Sequence, residues 1–192
     1  MQELLKRYFG YEEFRPMQKK VIDSVISGKD SVVIMPTGGG KSLCYQLPAL
    51  KLPGVTLVVS PLISLMKDQV DSLKANGIGA EFINSSLGFQ EISVIQQKIL
   101  NGQVKLLYVA PERLFSESFQ IFLGMVELSL IAIDESHCIS EWGHDFRPSY
   151  RELSKLKTSY PQVPLIALTA TATSKVREDI INQLSLKNPE VF

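Results

Sequence analysis

The chain has 192 residues, 45% of them hydrophobic, which is enough to bury a substantial core as one domain. Its 20 Lys and Arg residues balance its 20 Asp and Glu residues, so net charge gives no reason to expect a nucleic-acid partner, although a local basic face is not excluded. Cys44 and Cys138 are too few for a disulfide framework and lack zinc-site spacing, which favours a reducing, intracellular compartment. No signal-peptide pattern or apolar run of about 20 residues predicts export or a membrane partner.

Short β-branched runs alternate with segments of helical period. This pattern predicts an α/β fold with a mostly parallel central sheet and helices on both faces. Strands are predicted at residues 31–35, 55–60, 80–84, 104–109, 128–133 and 165–168. Well-marked helices are predicted at residues 16–28, 61–77 and 174–184. The apolar stripes expected to face the core are Val21, Ile22, Val25 and Ile26 on the first helix and Leu62, Leu65, Met66, Gln69, Val70 and Leu73 on the second.

No internal repeat, low-complexity tract or flexible linker divides the chain. Residues 1–192 are therefore interpreted as one domain, with residues 1–28 as an N-terminal helical segment. The most unusual stretch is residues 136–150, where five aromatic or histidine side chains lie among polar residues directly after a predicted strand. A loop of this length inside a compact domain is usually functional. The turn-prone residues after the last helix are expected to mark a domain edge, where a next domain would be joined.

A glycine-rich segment follows the first predicted strand and opens a helix, which is the context of a phosphate-binding loop. Its residues are Thr37, Gly38, Gly39, Gly40, Lys41 and Ser42. Adjacent glycines let backbone N–H groups converge on phosphate oxygens, and the helix N-terminus adds favourable partial charge. Lys41 is expected to neutralise the β- and γ-phosphates, and Ser42 to offer its hydroxyl to Mg²⁺. Met35 replaces the first glycine of the general motif, and the alternative is a glycine-rich turn that binds no nucleotide.

Two adjacent carboxylates, Asp134 and Glu135, follow the apolar strand predicted at residues 128–133. The carboxyl end of a sheet strand is where such folds place ligands. Asp134 is expected to hold Mg²⁺ through water, and Glu135 to polarise the water that attacks the γ-phosphate. Paired acids after a strand are by themselves also consistent with a solvated loop. Together with the glycine-rich segment, they favour ATP hydrolysis.

Several segments, in the right order, resemble motifs of the RecQ family of superfamily 2 ATP-dependent DNA helicases. Residues 134–137 (DESH) resemble the DExH box, and residues 137–148 (HCISEWGHDFRP) resemble the aromatic-rich loop that distinguishes RecQ enzymes. Residues 59–70 (VSPLISLMKDQV) are similar to motif Ia, residues 108–114 (YVAPERL) to motif Ib and residues 167–173 (ALTATAT) to motif III. The resemblance implies the first RecA-like P-loop domain of a helicase motor.

For the fold, the strand at residues 31–35 is predicted to lie near the centre of the sheet. The resemblance implies that the strand at residues 165–168 lies between it and the strand at residues 128–133. For the nucleotide, it implies that the amide of Gln18 recognises adenine, with Tyr11 and Arg15 on the faces of the ring. Without the family, Gln18 would be interpreted as an exposed polar helix residue.

The resemblance implies that His137 links the nucleotide site to DNA contacts. From the residues alone, His137, Cys138 and His144 also suggest a metal site, but an aromatic loop favours hydrogen-bonding or packing roles. The zinc site of RecQ enzymes belongs to a later domain, so no zinc is expected in this chain.

Trp142 and Phe146 are candidate stacking surfaces for a DNA base, and Arg147 is a candidate contact to phosphate or to the ATP site. The alternative for Trp142 is a buried core position. Backbone contacts to the strand are suggested for four further residues, whose alternative roles are helix caps and ordinary surface charges. These are Ser60, Ser64, Lys67 and Arg113.

The resemblance implies a DNA-stimulated, Mg²⁺-dependent ATPase that moves 3′ to 5′ on single strands and unwinds tailed duplexes or junctions. It implies a nucleoid-associated cytoplasmic protein in bacteria or a nuclear one in eukaryotes. The second RecA-like domain of the parent chain, which supplies an arginine finger, is expected to be missing, so the fragment is expected to be weakly active or inactive. A P-loop phosphotransferase and a nucleotide-gated DNA-binding module that hydrolyses ATP poorly remain as alternatives.

Overall fold

The computed structural model describes all 192 residues and is built around one seven-stranded sheet. The strands are β1 (Ser31–Ile34), β2 (Val55–Val59), β3 (Ala80–Ile83), β4 (Leu106–Val109), β5 (Leu128–Ile133), β6 (Leu165–Thr169) and β7 (Glu190–Val191). Their order is β3-β4-β2-β5-β6-β1-β7, and every pairing is parallel. Because all strands point the same way, the loops after β1, β2, β4, β5 and β6 meet at one edge of the sheet.

Helices connect the strands. They are α1 (Gln2–Leu4), which continues as a π-helical turn (Leu5–Phe9), α2 (Gln18–Ile26), α3 (Leu43–Lys51), α4 (Ile63–Ala75), α5 (Phe89–Leu100), α6 (Pro111–Leu114), α7 (Glu117–Leu123), a 3₁₀ turn (Ser136–Ile139), α8 (Pro148–Arg151), α9 (Ser154–Ser159) and α10 (Ser174–Gln183). None of them combines the length and apolar character needed to cross a bilayer.

Alternation of side chains along the strands divides the core between the two faces of the sheet. On one face, Leu57 and Ile131 pack in a cluster of 28 buried residues that includes the apolar sides of α5, α7 and α10. On the other, Val58 and Ala132 pack in a cluster of 20 that includes α2, α3 and α4. The strands are therefore buried on both sides, which explains their nearly continuous apolar sequences.

The predicted strands are confirmed to within two residues at each end, and β6 lies between β1 and β5 as expected. The expectation that β1 lies near the centre is wrong. It is sixth of seven strands, and β5 occupies the middle. Beyond β1 lies only β7, a two-residue strand that pairs with Ser31 and Val32. A strand this short carries no periodicity, and for that reason the sequence does not reveal it.

Two helix predictions also need correction. The first helix begins at Gln18 instead of Pro16, because Met17 adopts a left-handed backbone (φ 69°) that interrupts helical geometry. Leu62, expected to face the core, is 42% exposed and precedes the first turn of α4 with an extended backbone. Met66, Val70 and Leu73 of the same stripe are buried as predicted.

Candidate nucleotide site

The glycine-rich segment forms the connection between β1 and α3, at the carboxyl edge of the sheet. Gly40 has a positive φ of 83°, and a Cβ there would overlap Gln18 Nε2. At Gly39 a Cβ would meet the Pro36 carbonyl at 2.8 Å. Glycine is therefore favoured at Gly40 by the backbone conformation and at Gly39 by the lack of space beside the backbone. Lys41 extends back along the loop and donates from Nζ to the Met35 carbonyl at 3.1 Å.

A cleft of about 590 Å³ brings most of the predicted nucleotide residues together. Those lining it are Tyr11, Arg15, Gln18, Thr37, Gly38, Gly40, Lys41, Ser42, Asp134 and Glu135. They come from the N-terminal segment, the glycine-rich loop and the end of β5, which are separated by up to about 120 residues of chain. Lys41 and Asp134, which are predicted to act on one nucleotide, therefore line the same cleft.

Asp134 is 8% exposed at the end of β5, and its Oδ1 accepts a hydrogen bond from the Glu135 backbone N–H at 3.0 Å. Burial raises the pKa of Asp134 to about 6, and the neighbouring Glu135 carboxylate adds to the rise, whereas Lys41 opposes it. A nearby cation stabilises the charged form of such a buried carboxylate. Hard oxygen donors from Asp134 and Ser42 on the same cleft fit Mg²⁺, which prefers one or two protein oxygens together with water and phosphate.

Glu135 has a left-handed backbone (φ 48°, ψ 43°), which costs a residue with a Cβ about 1–2 kcal/mol. This backbone conformation turns the chain sharply after β5. Glu135 Oε2 lies 3.3 Å from Nδ1 of His137, whose side chain is 6% exposed. The hydrogen bond from His137 lowers the pKa of Glu135, so the carboxylate is held in its charged form. Backbone strain of this kind is often found at functional sites.

His137 connects the end of β5 to the end of β6. Its Nδ1 lies 2.9 Å from the Thr169 hydroxyl, which itself donates to the Thr171 carbonyl at 3.1 Å. Because that hydroxyl's only proton goes to Thr171, Nδ1 of His137 must be the donor to Thr169. Sequence reasoning identified residues 167–173 as a motif but selected none of them as site residues. Thr169 is the site residue it missed, and its position within that motif was the available signal.

Gln18 is 2% exposed, so the alternative that it is an exposed helix residue is wrong. Its Oε1 accepts from the Arg15 backbone N–H at 2.8 Å, and its Nε2 donates to the Gly40 carbonyl at 3.1 Å. An amide has two N–H donors and two acceptor lone pairs, so Gln18, which lines the cleft, has one of each unused. Arg15 also donates to the Gly38 carbonyl, and Tyr11 is 54% exposed beside them.

The aromatic loop packs against the start of α10. Trp142 is 64% exposed, with the Lys175 ammonium 3.1 Å from its ring centroid, so the alternative that Trp142 is a core residue is wrong. Ser140 anchors the loop by donating to Asp179 at 2.6 Å. His144 stacks on His137 with ring centroids 4.1 Å apart, which brings the loop into direct contact with the residues after β5.

Phe146 is half-buried, with the Arg151 guanidinium 5.1 Å from its ring centroid. Arg147 is held by internal contacts, since it bonds to Asp145 at 3.0 and 3.1 Å and to the Pro61 carbonyl at 3.1 Å. That last bond ties the aromatic loop to the segment before α4. In this conformation the guanidinium joins two segments of the protein.

The four candidate backbone contacts differ in accessibility. Ser64 and Lys67 are exposed on α4, although Lys67 is paired with Asp71 at 2.6 Å. Arg113 is half-buried, and its Nε lacks a hydrogen-bond partner. Ser60 is 2% exposed, so in this conformation its hydroxyl lies beneath the surface that a strand would contact.

His137, Cys138 and Asp145 bring three potential metal-ligand atoms within 4.8 Å of one another. Two of these groups are poorly suited to bind a cation. The Asp145 carboxylate is already paired with Arg147 at 3.0 Å, and burial raises the pKa of the Cys138 thiol to about 12. The cluster is better explained as hydrogen bonding within the loop than as a metal centre.

Residues 15–180 match the family model described as DEAD/DEAH box helicase. Among curated relatives, the chain is 54% identical over 190 residues to the ATP-dependent DNA helicase RecQ of Pasteurella multocida, covering 99% of this chain and 30% of that protein. It is 52% identical over 188 residues to the Bacillus subtilis protein of the same name, covering 97% and 32%. It is 47% identical over 199 residues to the RecQ-like DNA helicase blm-1 of Caenorhabditis elegans, covering 99% and 20%. The chain therefore spans about a third or less of the length of these relatives.

Solved structures of low sequence identity share the fold. The DUF1998 helicase MrfA matches with a TM-score of 0.75 at 21% identity, over 99% of this chain and 31% of that one. A hypothetical ATP-dependent RNA helicase from Sulfolobus tokodaii matches with a TM-score of 0.72 at 20% identity, over 100% and 56%. Fold, family model and relatives agree: the chain belongs to the DEAD/DEAH box helicase family, and within it the sequence is RecQ-like.

Proposed function

We propose that this chain is the ATP-binding half of a DNA helicase motor, which hydrolyses ATP in response to single-stranded DNA. One observation carries the proposal. The glycine-rich loop, Ser42 and the acid pair Asp134-Glu135 line one cleft, and the DNA-side candidate loop begins directly after that acid pair. Binding of a strand and hydrolysis of a nucleotide can then affect each other through a few residues.

The proposed division of roles follows from the chemistry of each group. The loop N–H groups and Lys41 bind the phosphates, and the free donor and acceptor of Gln18 pair with an adenine edge between Tyr11 and Arg15. Ser42 would hold Mg²⁺ directly and Asp134 would hold it through water, and the ion would neutralise charge that develops on the phosphoryl oxygens. Glu135, kept charged by His137, accepts a proton from the attacking water.

On the DNA side, the exposed ring of Trp142 offers a stacking surface, and Phe146, Ser64, Lys67 and Arg113 surround the same carboxyl edge of the sheet. The names of the RecQ relatives support DNA as the nucleic acid. A full motor that moves 3′ to 5′ and unwinds tailed duplexes or junctions would need a second RecA-like domain closing on this cleft.

A second domain would also supply an arginine finger, which is worth roughly 10³- to 10⁵-fold in related phosphoryl-transfer enzymes. We therefore expect the 192-residue chain alone to bind ATP and to hydrolyse it slowly. The relatives are about three times longer or more, which leaves room for such a domain in a longer protein.

The test compares ATP hydrolysis with single-stranded DNA, with duplex DNA and without DNA, for this chain and for a longer form that carries a second motor domain. We expect the longer form to be stimulated by single strands. ATP binding with no DNA effect on binding or turnover would contradict the motor. Phosphate transfer to an acceptor other than water would instead indicate a phosphotransferase. If the longer form bound DNA strands without hydrolysing ATP, the result would indicate a nucleotide-gated binding module.

A further inference from the structure

Four polar side chains from α3, α4 and β4 form a hydrogen-bonded group. Gln46 Nε2 donates to the Tyr108 hydroxyl at 3.2 Å and to Gln69 Oε1 at 2.8 Å. The hydroxyls of Tyr108 and Tyr45 are 3.3 Å apart. Both tyrosines are 1% exposed, and Gln46 is 7% exposed. Apolar residues would fill this space at little cost in stability. A polar network here therefore indicates a role in positioning neighbouring side chains.

The direction of two of the hydrogen bonds is fixed by the amide of Gln46. Its two N–H groups donate to Gln69 and to Tyr108, so both of these residues accept from Gln46. The third bond joins the hydroxyls of Tyr108 and Tyr45, either of which can be the donor. The network therefore links Gln69 on α4 to Tyr45 on α3 through Gln46 and Tyr108.

The network lies beside the candidate Mg²⁺ ligands. Ser42, Tyr45 and Gln46 share one side of the first turn of α3, where the N–H groups of Tyr45 and Gln46 bond to the Ser42 carbonyl at 3.2 and 2.9 Å. Gln46 and Gln69 line the same cleft as Ser42 and Asp134. Two members of the network therefore border the candidate Mg²⁺ site.

We propose that Gln69, Gln46, Tyr108 and Tyr45 form a positioning network through which α4 sets the orientation of the Mg²⁺ ligands Ser42 and Asp134. The inference rests on the proposed function, because it assumes that these residues bind Mg²⁺-nucleotide. Helix α4 carries Ser64 and Lys67, two candidate contacts to the DNA strand. The network thus gives a strand on α4 a second route to the nucleotide, separate from the aromatic loop.

The decisive variant is Tyr108→Phe, which keeps the ring in the core and removes only the central hydroxyl. We would titrate Mg²⁺ at fixed concentrations of the 192-residue chain and a fluorescent, non-hydrolysable ATP analogue. The Mg²⁺ concentration for half-maximal binding is expected to rise roughly three- to tenfold, the scale of one hydrogen bond. Binding of ADP in the presence of a chelator should change by less than about twofold. Thermal melting would establish that the variant is folded at the assay temperature.

Tyr160→Phe is the matched control, because it removes a hydroxyl from a half-buried tyrosine that packs on the opposite face of the sheet. Gln69→Met breaks only the outermost link and should shift the Mg²⁺ dependence in the same direction, so it decides the question if Tyr108→Phe does not fold. Unchanged Mg²⁺ dependence in the folded variants, or an equal shift in Tyr160→Phe, would overturn the inference. If the unmodified chain bound no nucleotide, the proposed function would fail, and the inference with it.

Discussion

Nδ1 of His137 donates to the hydroxyl of Thr169 at 2.9 Å, which joins the second residue after the acid pair to the last residue of β6. The same ring nitrogen lies 3.3 Å from Glu135 Oε2. His137 is thus shared between the proposed general base and the segment that leads into α10. Movement of that segment would therefore change the hydrogen bonding of His137 and, through it, the environment of the Glu135 carboxylate.

Replacing Thr169 with Val should disturb this sharing without changing the volume of the side chain. The N–H of His137 would then bond to Glu135 alone, which makes the carboxylate a weaker base. We expect DNA-stimulated turnover in a two-domain form to fall roughly 5- to 50-fold, with ATP affinity nearly unchanged. Thr56→Val is the control, since Thr56 is also a buried strand residue and its hydroxyl has no partner. Equal turnover in both variants would argue against a role for Thr169.

Lys41→Ala and Glu135→Gln should fail in different ways. Loss of the Lys41 ammonium should weaken ATP binding roughly 10- to 100-fold, the scale of a hydrogen bond to a charged group. Glu135→Gln should bind ATP normally and lose roughly 10²- to 10⁴-fold in turnover, the scale of general-base catalysis. Nucleotide affinity measured beside single-turnover hydrolysis separates them. A Glu135→Gln protein that hydrolyses ATP at the unmodified rate would remove Glu135 from this role.

Trp142→Ala should leave the fold nearly as stable as before, because the ring is 64% exposed. We expect the free energy of unfolding to change by less than about 1 kcal/mol, including the contact with Lys175. Binding to an oligothymidylate should weaken roughly 5- to 150-fold if one base stacks on the ring. Phe146→Ala should also weaken binding, with a larger cost in stability because Phe146 is half-buried.

Ile121→Ala is the control for Trp142, since Ile121 is 65% exposed on α7 and belongs to no proposed site. Melting curves and fluorescence anisotropy on labelled DNA would be recorded for each variant. Normal DNA affinity in Trp142→Ala would rule out the stacking role.

Glu81 should make stability depend on pH. Burial alone would raise the pKa of Glu81, but hydrogen bonds from Lys74 and Lys98, both at 2.8 Å, outweigh it and lower the pKa below 4.5. Because the pKa is lowered in the folded protein, the carboxylate stabilises the fold at pH values above its ordinary pKa. This contribution is lost as the pH falls through the lowered pKa of the folded protein. Glu81→Gln should therefore cost about 1 kcal/mol at pH 7, and the difference should shrink toward zero in acid.

Urea unfolding at pH 7 and below pH 4 would check this sign. Glu178→Gln is the control, because Glu178 is exposed on α10 and is not part of an ion pair. A difference between Glu81→Gln and the unmodified protein that grows as the pH falls would contradict the assignment.

Much of the site is determined by short stretches of sequence. The glycines and Lys41 lie within one loop, and Asp134 and Glu135 are neighbours at the end of one strand, so spacing alone predicts their roles. The alternation of apolar runs and helical stripes likewise predicts a parallel sheet covered on both faces. These features depend on residues that are close together in the chain, so local sequence patterns can predict them.

Only the tertiary structure decides which distant side chains meet. Gln46 and Tyr108 are 62 positions apart, and Thr169 is 32 positions beyond His137, so no local pattern could have paired them. Packing also buries Gln18 against the Gly40 carbonyl and leaves Trp142 exposed. The order of the strands, which places β1 next to the edge, depends on how the whole sheet is assembled. The physical reason is common to all of them: contacts across the sheet depend on strand order and helix packing, which periodicity along one segment does not encode.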